Sequence, residues 1–370
     1  METPFEALTR LKKGSRPVIG CFPLYPPLEL IHSMGLVPIV LWEIQDTVPH
    51  VQDADGHIQK YACSVSLCLA QLIMTSGKKL FDGLFFYNAC DTLRNLPEIL
   101  REGLIISGCG PLPIFRMHVP MTSSDQTTAS DYLRGEIETC IRSLEKHYGV
   151  NFSEERFAES VSLYNRMRKL CMKLEKAVSD GRLPYADFSR TLMTINFLAV
   201  EEQIAFLKSK LADIELKKIP GAARTKVIVS GILPPPSAIC EIIDQFGLRV
   251  VGNDVASQYR SYAKISKTGK DASFYYMHFY KNHFPCTTLL YAADRRIEAI
   301  ENLVAERGAN GFIFIGQKFC EYEYFEMPYL EKRLKDKEVT VLSIEISMDD
   351  NTAIETFRTR LEAFTEIISA

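Results

Sequence analysis

The chain has 370 residues, which is too many for one ordinary hydrophobic core and predicts two or three domains. Its 46% hydrophobic and 24% charged residues exclude a disordered or fibrous protein. A net charge of -3 gives no reason to expect nucleic acid as a partner, and no apolar run reaches the roughly 18 residues needed to span a membrane.

The first part of the chain alternates short hydrophobic strands with helices. Strands are predicted over 16–21 and 36–41, with a proline-rich turn and the helix LELIHSMG between them. A polar loop over 43–60, expected to lie near the site, precedes a helix over 64–77. The next strand, LFFYN, is short and apolar throughout, as in a parallel sheet covered on both faces. Cys90 follows the carboxyl end of this strand.

A long helical section follows a further strand over 112–119. It runs from about Ser130 to Glu215, and its amphipathic spacing predicts two or three helices. The sequence DGRLP at 180–184 breaks the pattern. Because this section has no cluster of thiols or histidines, we interpret it as a helical subdomain.

The pattern of the first part returns after Thr225. TKVIVSGILPPPSAICEIIDQFGLRVVG repeats the order of strand, proline turn, helix and strand found in RPVIGCFPLYPPLELIHSMGLVPIV, and NGFIFIGQKFCE is similar to DGLFFYNACD. We therefore predict an α/β fold of two similar lobes, each a parallel sheet covered by helices, with the helical subdomain between them. The expected domains are residues 1–125, 126–220 and 221–370.

Cysteines stand at corresponding places in the two lobes. Cys90 and Cys320 each follow a strand, at the edge where parallel sheets open their ligand crevice, and Cys63 and Cys286 each precede a helix. The segment METPFEALTRLKKGSRP has no hydrophobic stretch typical of a signal peptide, so we expect a cytoplasmic location in which disulfides rarely persist. These four cysteines are therefore candidates for a metal site or a catalytic site.

Spacing alone leaves three interpretations of these thiols open. Zinc sites favour close pairs such as Cys-x2-Cys, whereas the nearest pair here, Cys63 and Cys68, has four residues between its members. A nucleophilic cysteine needs a base, and the spacing singles out none of the seven histidines. An iron–sulfur cluster needs several thiolates, which can be dispersed along the chain. A cluster, zinc and purely structural thiols stay equally open at this point.

A series of motifs runs in order along nearly the whole chain. They are PLYPPLELIHSMGLVPIVL, YACSVSLCL, DGLFFYNACDTLRNL, Asn165 and Arg168, VIVSGILPPP, GFIFIGQKFCEYEYFEMPYL and TRLEAFTEII. In this order they resemble the subunits of the 2-hydroxyacyl-CoA dehydratase and benzoyl-CoA reductase family, also called the D-component family. Each motif is modest by itself, and the shared order is the stronger sign.

The resemblance implies a [4Fe-4S] cluster held by three cysteines, which by motif are Cys63, Cys90 and Cys320. It implies the iron–sulfur subunit of an ATP-activator-dependent (R)-2-hydroxyacyl-CoA dehydratase, a lyase of anaerobic metabolism. Such an enzyme uses one low-potential electron and a ketyl radical to eliminate water and form a 2-enoyl-CoA. The implied partners are a homologous alpha-type subunit in a heterodimer, an ATP-dependent iron–sulfur activator protein and the acyl-CoA substrate.

The chain departs from the family's catalytic subunits in one turn. Where those subunits carry Ser or Cys, this chain has Pro23, which cannot donate a hydrogen bond or transfer a proton. The resemblance therefore favours a beta-type partner subunit that relays the electron. Glu43 is the nearest candidate for the glutamate that follows the second strand in those subunits, where it would serve as an acid or base.

Other functions fit the same resemblance. One is a subunit of a benzoyl-CoA-type ring reductase, an oxidoreductase, and another is a noncatalytic electron carrier. A third is a homodimeric reductase with a double-cubane [8Fe-9S] cluster, for which Cys286 would be an additional ligand while Cys21 lies two residues from another ligand position. Cys68 and Cys109 are interpreted as core or supporting residues. The candidates for contact with CoA phosphates are Lys78, Lys79, Arg94 and Arg101.

Overall fold

Two four-stranded parallel sheets form the frame of the molecule. The computed structural model describes residues 2–42, 44, 48, 50–59, 61–122, 127–216, 225–266, 269–289, 292–347 and 353–369. The strands of the first sheet are β1 (Val18–Cys21), β2 (Val37–Val40), β3 (Gly83–Tyr87) and β4 (Ile114–Met117). Those of the second sheet are β5 (Lys226–Gly231), β6 (Arg249–Val255), β7 (Gly311–Gln317) and β8 (Thr340–Ile346). The predicted α/β fold with two parallel sheets is confirmed.

The two sheets have the same strand order. The first runs β2-β1-β3-β4 and the second β6-β5-β7-β8, and every neighbouring pair is parallel. In each sheet the chain first moves to one side of the opening strand and then crosses to the other side. A topological switch point therefore lies between β1 and β3 and between β5 and β7, where parallel sheets form their ligand crevice.

Helices surround both sheets and occupy the chain between them. Those of the first part are α1 (Pro4–Lys12), α2 (Leu28–Ser33), α3 (Gln52–Asp55), α4 (Ser64–Leu80) and α5 (Asp91–Ile106). The middle section contains α6 (Thr127–Tyr148), α7 (Glu154–Ser179), α8 (Tyr185–Asn196) and α9 (Val200–Glu215). The last part contains α10 (Ser237–Gln245), α11 (Tyr259–Tyr262), α12 (Ala272–Asn282), α13 (Ala293–Arg307), α14 (Glu321–Tyr324), α15 (Met327–Lys335) and α16 (Ala353–Ser369).

The middle section has four helices, where the sequence predicts two or three. The predicted break at 180–184 is present, and further breaks follow α6 and α8. Gly149 has a φ of 65°, a left-handed conformation that glycine adopts at little cost and that ends α6. Ser153 then caps α7, because its hydroxyl accepts a hydrogen bond from the Arg156 amide.

The central strands are buried on both faces. Every residue of β3 and of β7 is buried, which explains why these segments, apart from Gln317 at the end of β7, are apolar and do not alternate with polar residues. Phe22 and Phe86 stack in the core of the first sheet with ring centroids 3.9 Å apart. Because burial of each such side chain contributes about 1.5–3 kcal/mol, these strands anchor the sheet edges that carry the cysteines.

Helix α12 joins the core of the first sheet, although it follows β6 in the chain. Its buried residues Tyr275, Tyr276 and Phe279 belong to the same apolar cluster as Phe85. Side chains from both parts of the chain therefore share one core, and the division into three domains stays a prediction. None of the described helices combines the length and the apolar character that crossing a membrane requires.

Candidate metal centre

Three cysteines open onto one cavity at the carboxyl ends of the sheets. Cys63, Cys90 and Cys320 all line this cavity, which has a volume of about 420 Å³. The segment 43–60, predicted to be a loop, contains the short helix α3, and His57 and Gln59 after this helix line the cavity. Neither of these two side chains has a signature in the sequence beyond the polarity of its segment. Other parts of the wall come from Tyr61, Asp91, Asn95, Ile99, Phe319 and Tyr322.

Each of the three cysteines is the residue immediately before a helix. Cys63 precedes α4, Cys90 precedes α5, and Cys320 precedes the single-turn helix α14. The first amides of a helix have no partner inside it and carry the positive end of the helix dipole. The Leu93 amide donates to the Cys90 sulfur at 3.4 Å. The helix starts therefore favour negatively charged sulfur in the cavity.

A hydrogen bond between β7 and α4 keeps the cysteine-bearing segments together. Gln317, the last residue of β7, donates from Nε2 to Oγ of Ser64, the first residue of α4, at 2.5 Å. The same amide group donates to the carbonyl oxygen of Ile346 at 3.2 Å. Ser64 follows Cys63 directly and Gln317 lies just before Cys320, so this contact helps to set their separation across the cavity.

The chain reaches Cys320 through a residue with an unusual backbone. Phe319 has a φ of 64°, in the left-handed region that non-glycine residues rarely adopt. Such a conformation costs on the order of 1–3 kcal/mol and persists only where the surroundings fix it. The Phe319 ring lines the cavity and is half exposed. The strain is thus located at the residue that turns the Cys320 thiol toward the cavity wall.

Two of the thiols are protonated at neutral pH unless a cation binds. Burial raises the pKa of Cys90 to about 11, although hydrogen bonds from two α5 amides oppose the shift. Burial, followed by Glu323 and the other two cysteines, raises the pKa of Cys320 well above its ordinary value. A nucleophilic cysteine needs a lowered pKa, whereas a metal deprotonates the thiols that it binds. The raised pKa values of Cys90 and Cys320 therefore argue against a nucleophilic thiolate at either position.

The chemistry of the donor set, three cysteines around one cavity, is compatible with an iron–sulfur cluster. Within the described ranges, no three His, Cys, Asp or Glu side chains are grouped closely enough to hold one metal ion. A zinc ion would draw its ligands to about 2.0–2.3 Å. An iron–sulfur cluster is a larger object whose cysteine ligands come from distant parts of the chain. Cys63, Cys90 and Cys320, spread around one cavity, match that requirement.

Cys286 lies outside this cavity. Its sulfur is fully buried, 3.4 Å from Nη1 of Arg260 and 3.3 Å from Oγ1 of Thr288. It does not cap a helix, because α13 begins only at Ala293, so the correspondence with Cys63 holds in sequence but not in position. Cys21 is buried within β1. A role for Cys286 as an iron ligand stays a prediction.

A buried ionic network supports the segment after Cys320. Arg260 contacts Asp254 at 2.8 Å and Glu323 at 3.2 Å. Arg296 contacts Asp254 at 2.7 Å and Glu326 at 2.7 Å. Buried charges are costly unless they are paired, so these contacts fix α14 against β6 and α13. One weak indication of the network is present in the sequence, a polar Asn-Asp pair inside the otherwise apolar β6.

The remaining predicted residues contribute little to the cavity. Glu43 lies outside the described residues. Lys78 and Lys79 are exposed at the end of α4 that is opposite to the cavity. Arg94 and Arg101 each pair with a carboxylate of their own helix, at 3.2 and 2.5 Å. Contacts of these four basic residues with CoA therefore stay a prediction.

Comparison with known proteins places the chain among acyl-CoA enzymes. A family described as 2-hydroxyglutaryl-CoA dehydratase, D-component, matches residues 23–368. The chain is 24% identical over 353 residues to the beta subunit of lactoyl-CoA dehydratase of Anaerotignum propionicum, which covers 95% of this chain and 91% of that protein. It is 22% identical over 366 residues to the (R)-phenyllactyl-CoA dehydratase beta subunit of Clostridium sporogenes, covering 98% and 94%. It is 24% identical over 339 residues to one of the subunits of benzoyl-CoA reductase of Thauera aromatica, covering 90% and 86%.

The family match, over 23–368, includes strands β2 to β8, the helices between them and the three cysteines of the cavity. It confirms the resemblance carried by the ordered motifs. The chain belongs to the 2-hydroxyglutaryl-CoA dehydratase D-component family.

Proposed function

We propose that this chain is the beta-type, iron–sulfur subunit of an ATP-activator-dependent (R)-2-hydroxyacyl-CoA dehydratase, a lyase. The observation that carries the proposal is the convergence of Cys63, Cys90 and Cys320, each at a helix N-terminus, on one cavity. Similarity to two dehydratase beta subunits over nearly the whole chain supports the reaction class.

In this proposal the three cysteines hold a [4Fe-4S] cluster, which supplies one-electron transfer at low potential. The chain's own residues provide its surroundings. The amides that begin α4 and α5 would stabilise negative charge on cluster-bound sulfur, and the Leu93 amide donates to the Cys90 sulfur. The Arg260 network fixes α14, and burial limits the access of water. Hydrogen bonds to sulfur and burial are the means by which a protein sets the potential of such a group.

We assign substrate activation to the partner subunit. Pro23, at the position where catalytic subunits of the family carry Ser or Cys, has no transferable proton. Glu43 remains the candidate acid or base of this chain. The homologous alpha-type subunit would therefore bind the acyl-CoA substrate, and the ATP-dependent activator would deliver the electron to the heterodimer. A cytoplasmic location is part of the same proposal.

A ring-reductase subunit is the second candidate function. The chain is about as similar to the benzoyl-CoA reductase protein as to the dehydratase subunits, and the same three cysteines would serve. The two reactions differ in the fate of the electrons. A dehydratase returns the electron after each turnover, whereas a reductase leaves its electrons in the product.

Iron and sulfide analysis of the full chain, reconstituted anaerobically, tests the cluster. We expect about four irons per chain and a visible absorbance. Both should be lost in the Cys63→Ala, Cys90→Ala and Cys320→Ala variants. The matched control is Cys109→Ala, which removes a half-buried thiol that donates to the Met74 carbonyl at 2.9 Å.

Two results would contradict this assignment. Wild-type protein without iron would refute the cluster itself. About eight irons per chain, falling in Cys286→Ala, would favour the double-cubane alternative.

The reaction is tested with the complete system. The chain, its alpha-type partner and the activator are incubated with ATP, a reductant and a panel of (R)-2-hydroxyacyl-CoA thioesters and benzoyl-CoA. We expect a 2-enoyl-CoA product formed over many turnovers per electron supplied. Reduction of benzoyl-CoA with stoichiometric use of the reductant would instead support the second candidate.

A further inference from the structure

A second cavity lies inside the protein, separate from the cysteine cavity. It has a volume of about 70 Å³ and lies between the turn after β1, the end of β2, and helices α7 and α8. Among the described residues, none lines both cavities. Because roughly 10–15 Å³ of such space holds one water molecule, the cavity has room for several waters or a small organic group.

Four polar groups of its lining residues have no hydrogen-bond partner in the described part of the chain. One is the hydroxyl of Tyr25, and the other three are Nε of Arg168, Nδ2 of Asn196 and Oγ of Ser257. Arg168 is 3% exposed and Ser257 is 5% exposed. An unpaired buried donor is costly, and native proteins leave few of them. Four such groups around one cavity therefore indicate a ligand that accepts hydrogen bonds.

The positive charge of Arg168 is already balanced. Its Nη2 lies 2.5 Å from the carboxylate of Glu29, and its Nη1 donates to Asn165 at 3.5 Å. Glu29 also accepts hydrogen bonds from Tyr275 at 3.0 Å and Tyr276 at 2.8 Å. An anion in the cavity would find no uncompensated cation and would be repelled by Glu29, so a neutral acceptor is favoured.

The rest of the wall is largely apolar. Aliphatic and aromatic side chains from the turn, β2, α8 and α12 complete it, among them Leu24, Val40, Leu192, Ile195 and Phe279. A few convergent polar groups in an apolar wall are typical of sites that orient a small organic ligand. Together, the apolar wall and the unpaired donors favour a ligand that has a short hydrocarbon part and one uncharged polar group.

We propose that this cavity binds a small neutral carbonyl compound, such as a short primary amide. The carbonyl oxygen accepts hydrogen bonds from Arg168, Asn196 and Ser257, and the hydrocarbon part lies against the apolar wall. This site shares no described lining residue with the cysteine cavity, so the test of this proposal does not depend on the iron–sulfur proposal.

Trp42 makes the site measurable, because it is the chain's single tryptophan and lies in the cavity wall. We expect propionamide to produce a saturable change in tryptophan fluorescence. Propionate, which has the same carbon skeleton and a negative charge, should bind at least about tenfold more weakly, because it meets Glu29.

Variants test the three donors. Ser257→Ala and Asn196→Ala should each weaken propionamide binding by about five- to tenfold, the effect of one hydrogen bond. Ser143→Ala, which changes an exposed serine of α6, is the matched control and should leave binding unchanged. Unchanged binding in Ser257→Ala, equal binding of propionate and propionamide, or no saturable signal would overturn the proposal.

A crystal soaked with propionamide gives a measurement that does not depend on variant stability. We expect density for the amide oxygen within hydrogen-bond distance of the three donors. Density for water molecules alone would show that the cavity is only hydrated and would overturn the proposal.

Discussion

Gln317, at the end of β7, and Ser64, at the start of α4, are hydrogen-bonded to each other, with 2.5 Å between the amide nitrogen and the hydroxyl oxygen. Replacing Gln317 by Met keeps the side chain's length but removes its amide donor. Both the Ser64 hydroxyl and the Ile346 carbonyl then lose a hydrogen bond. We expect the free energy of unfolding to fall by about 1–3 kcal/mol, measured by urea denaturation of the full chain.

A double-mutant cycle that combines Gln317→Met with Ser64→Ala isolates the hydrogen bond between these two side chains. The coupling free energy should be about 0.5–1.5 kcal/mol, the net value of one hydrogen bond between neutral groups. Strictly additive effects of the two substitutions would show that the hydrogen bond between β7 and α4 makes no coupling contribution to the free energy of unfolding.

Removal of the Arg260 guanidinium should destabilise the fold strongly. The change Arg260→Met leaves Asp254 and Glu323 with less compensation in a fully buried position, and losing one partner of such a pair costs about 3–5 kcal/mol. Arg260→Lys should restore little of this, because one ammonium cannot replace a planar group with several donors. Urea denaturation measures both variants.

Arg190 provides the comparison for this experiment. It is partly exposed and pairs with Asp187 at 2.8 Å and with Glu241 at 3.1 Å. Arg190→Met should cost less than about 1 kcal/mol, as is usual for surface ion pairs. Similar losses in the Arg260 and Arg190 variants would argue against a structural role for the buried network.

The pKa of Glu175 predicts a loss of stability as the pH rises. Burial raises this pKa to about 7, although the carboxylate accepts hydrogen bonds from Asn253 at 3.3 Å and from Tyr262 at 3.2 Å. Between pH 4.5 and 7 the folded state keeps a proton that the unfolded state has released. The free energy of unfolding should therefore fall as the pH rises through this window, by up to about 3 kcal/mol.

Glu175→Gln should remove this decline, since its side chain does not titrate. Urea denaturation at several pH values between about 5 and 8 tests the expectation. Glu159→Gln, on an exposed part of the same helix, serves as the control and should keep the wild-type dependence. The assignment fails if the two variants respond to pH in the same way.

His283 predicts a loss of stability in the opposite direction. Burial, opposed by the hydrogen bond that Nδ1–H donates to the Phe284 carbonyl at 2.7 Å, lowers its pKa to about 3. Below its ordinary value of 6.5, the unfolded state takes up a proton that the folded state does not. The free energy of unfolding should therefore fall as the pH decreases from about 6.5 toward 3.

A substitution separates this effect from general acid denaturation. In His283→Gln the chain loses the titrating ring, so its stability between about pH 4 and 6.5 should depend less on pH than that of the wild type. His278→Gln, which changes an exposed histidine at the end of α12, is the control and should keep the wild-type dependence. Parallel pH profiles of wild type and His283→Gln would contradict the prediction.

Local patterns in the sequence predict the sheets and the ends of the strands well. The apolar strands of both lobes and the cysteines after two of them follow from short-range periodicity, because parallel strands are buried on both faces. Cys63 is also found at its predicted place before a helix. These features depend on residues that are close in sequence, where the pattern is readable.

Local patterns do not predict contacts between segments that are distant in sequence. Gln317 and Ser64 are ordinary polar residues until the fold brings them together, and Arg260 is one cation among many in a tyrosine-rich segment. Cys286 has the right residue type and sequence context for the cysteine site, yet its loop carries it away from the cavity. Three-dimensional proximity of this kind depends on the packing of whole elements, which local periodicity does not encode.

Helix α12 belongs to the second part of the chain but packs in the core of the first sheet, and this limits how the two parts can evolve. Tyr276 and Phe279 come from the second half but complete the core of the first, so a substitution in either half changes the other's packing. The two halves are therefore not separate modules that recombination could exchange one at a time. A chain cut between α9 and β5 should still migrate as one particle in gel filtration.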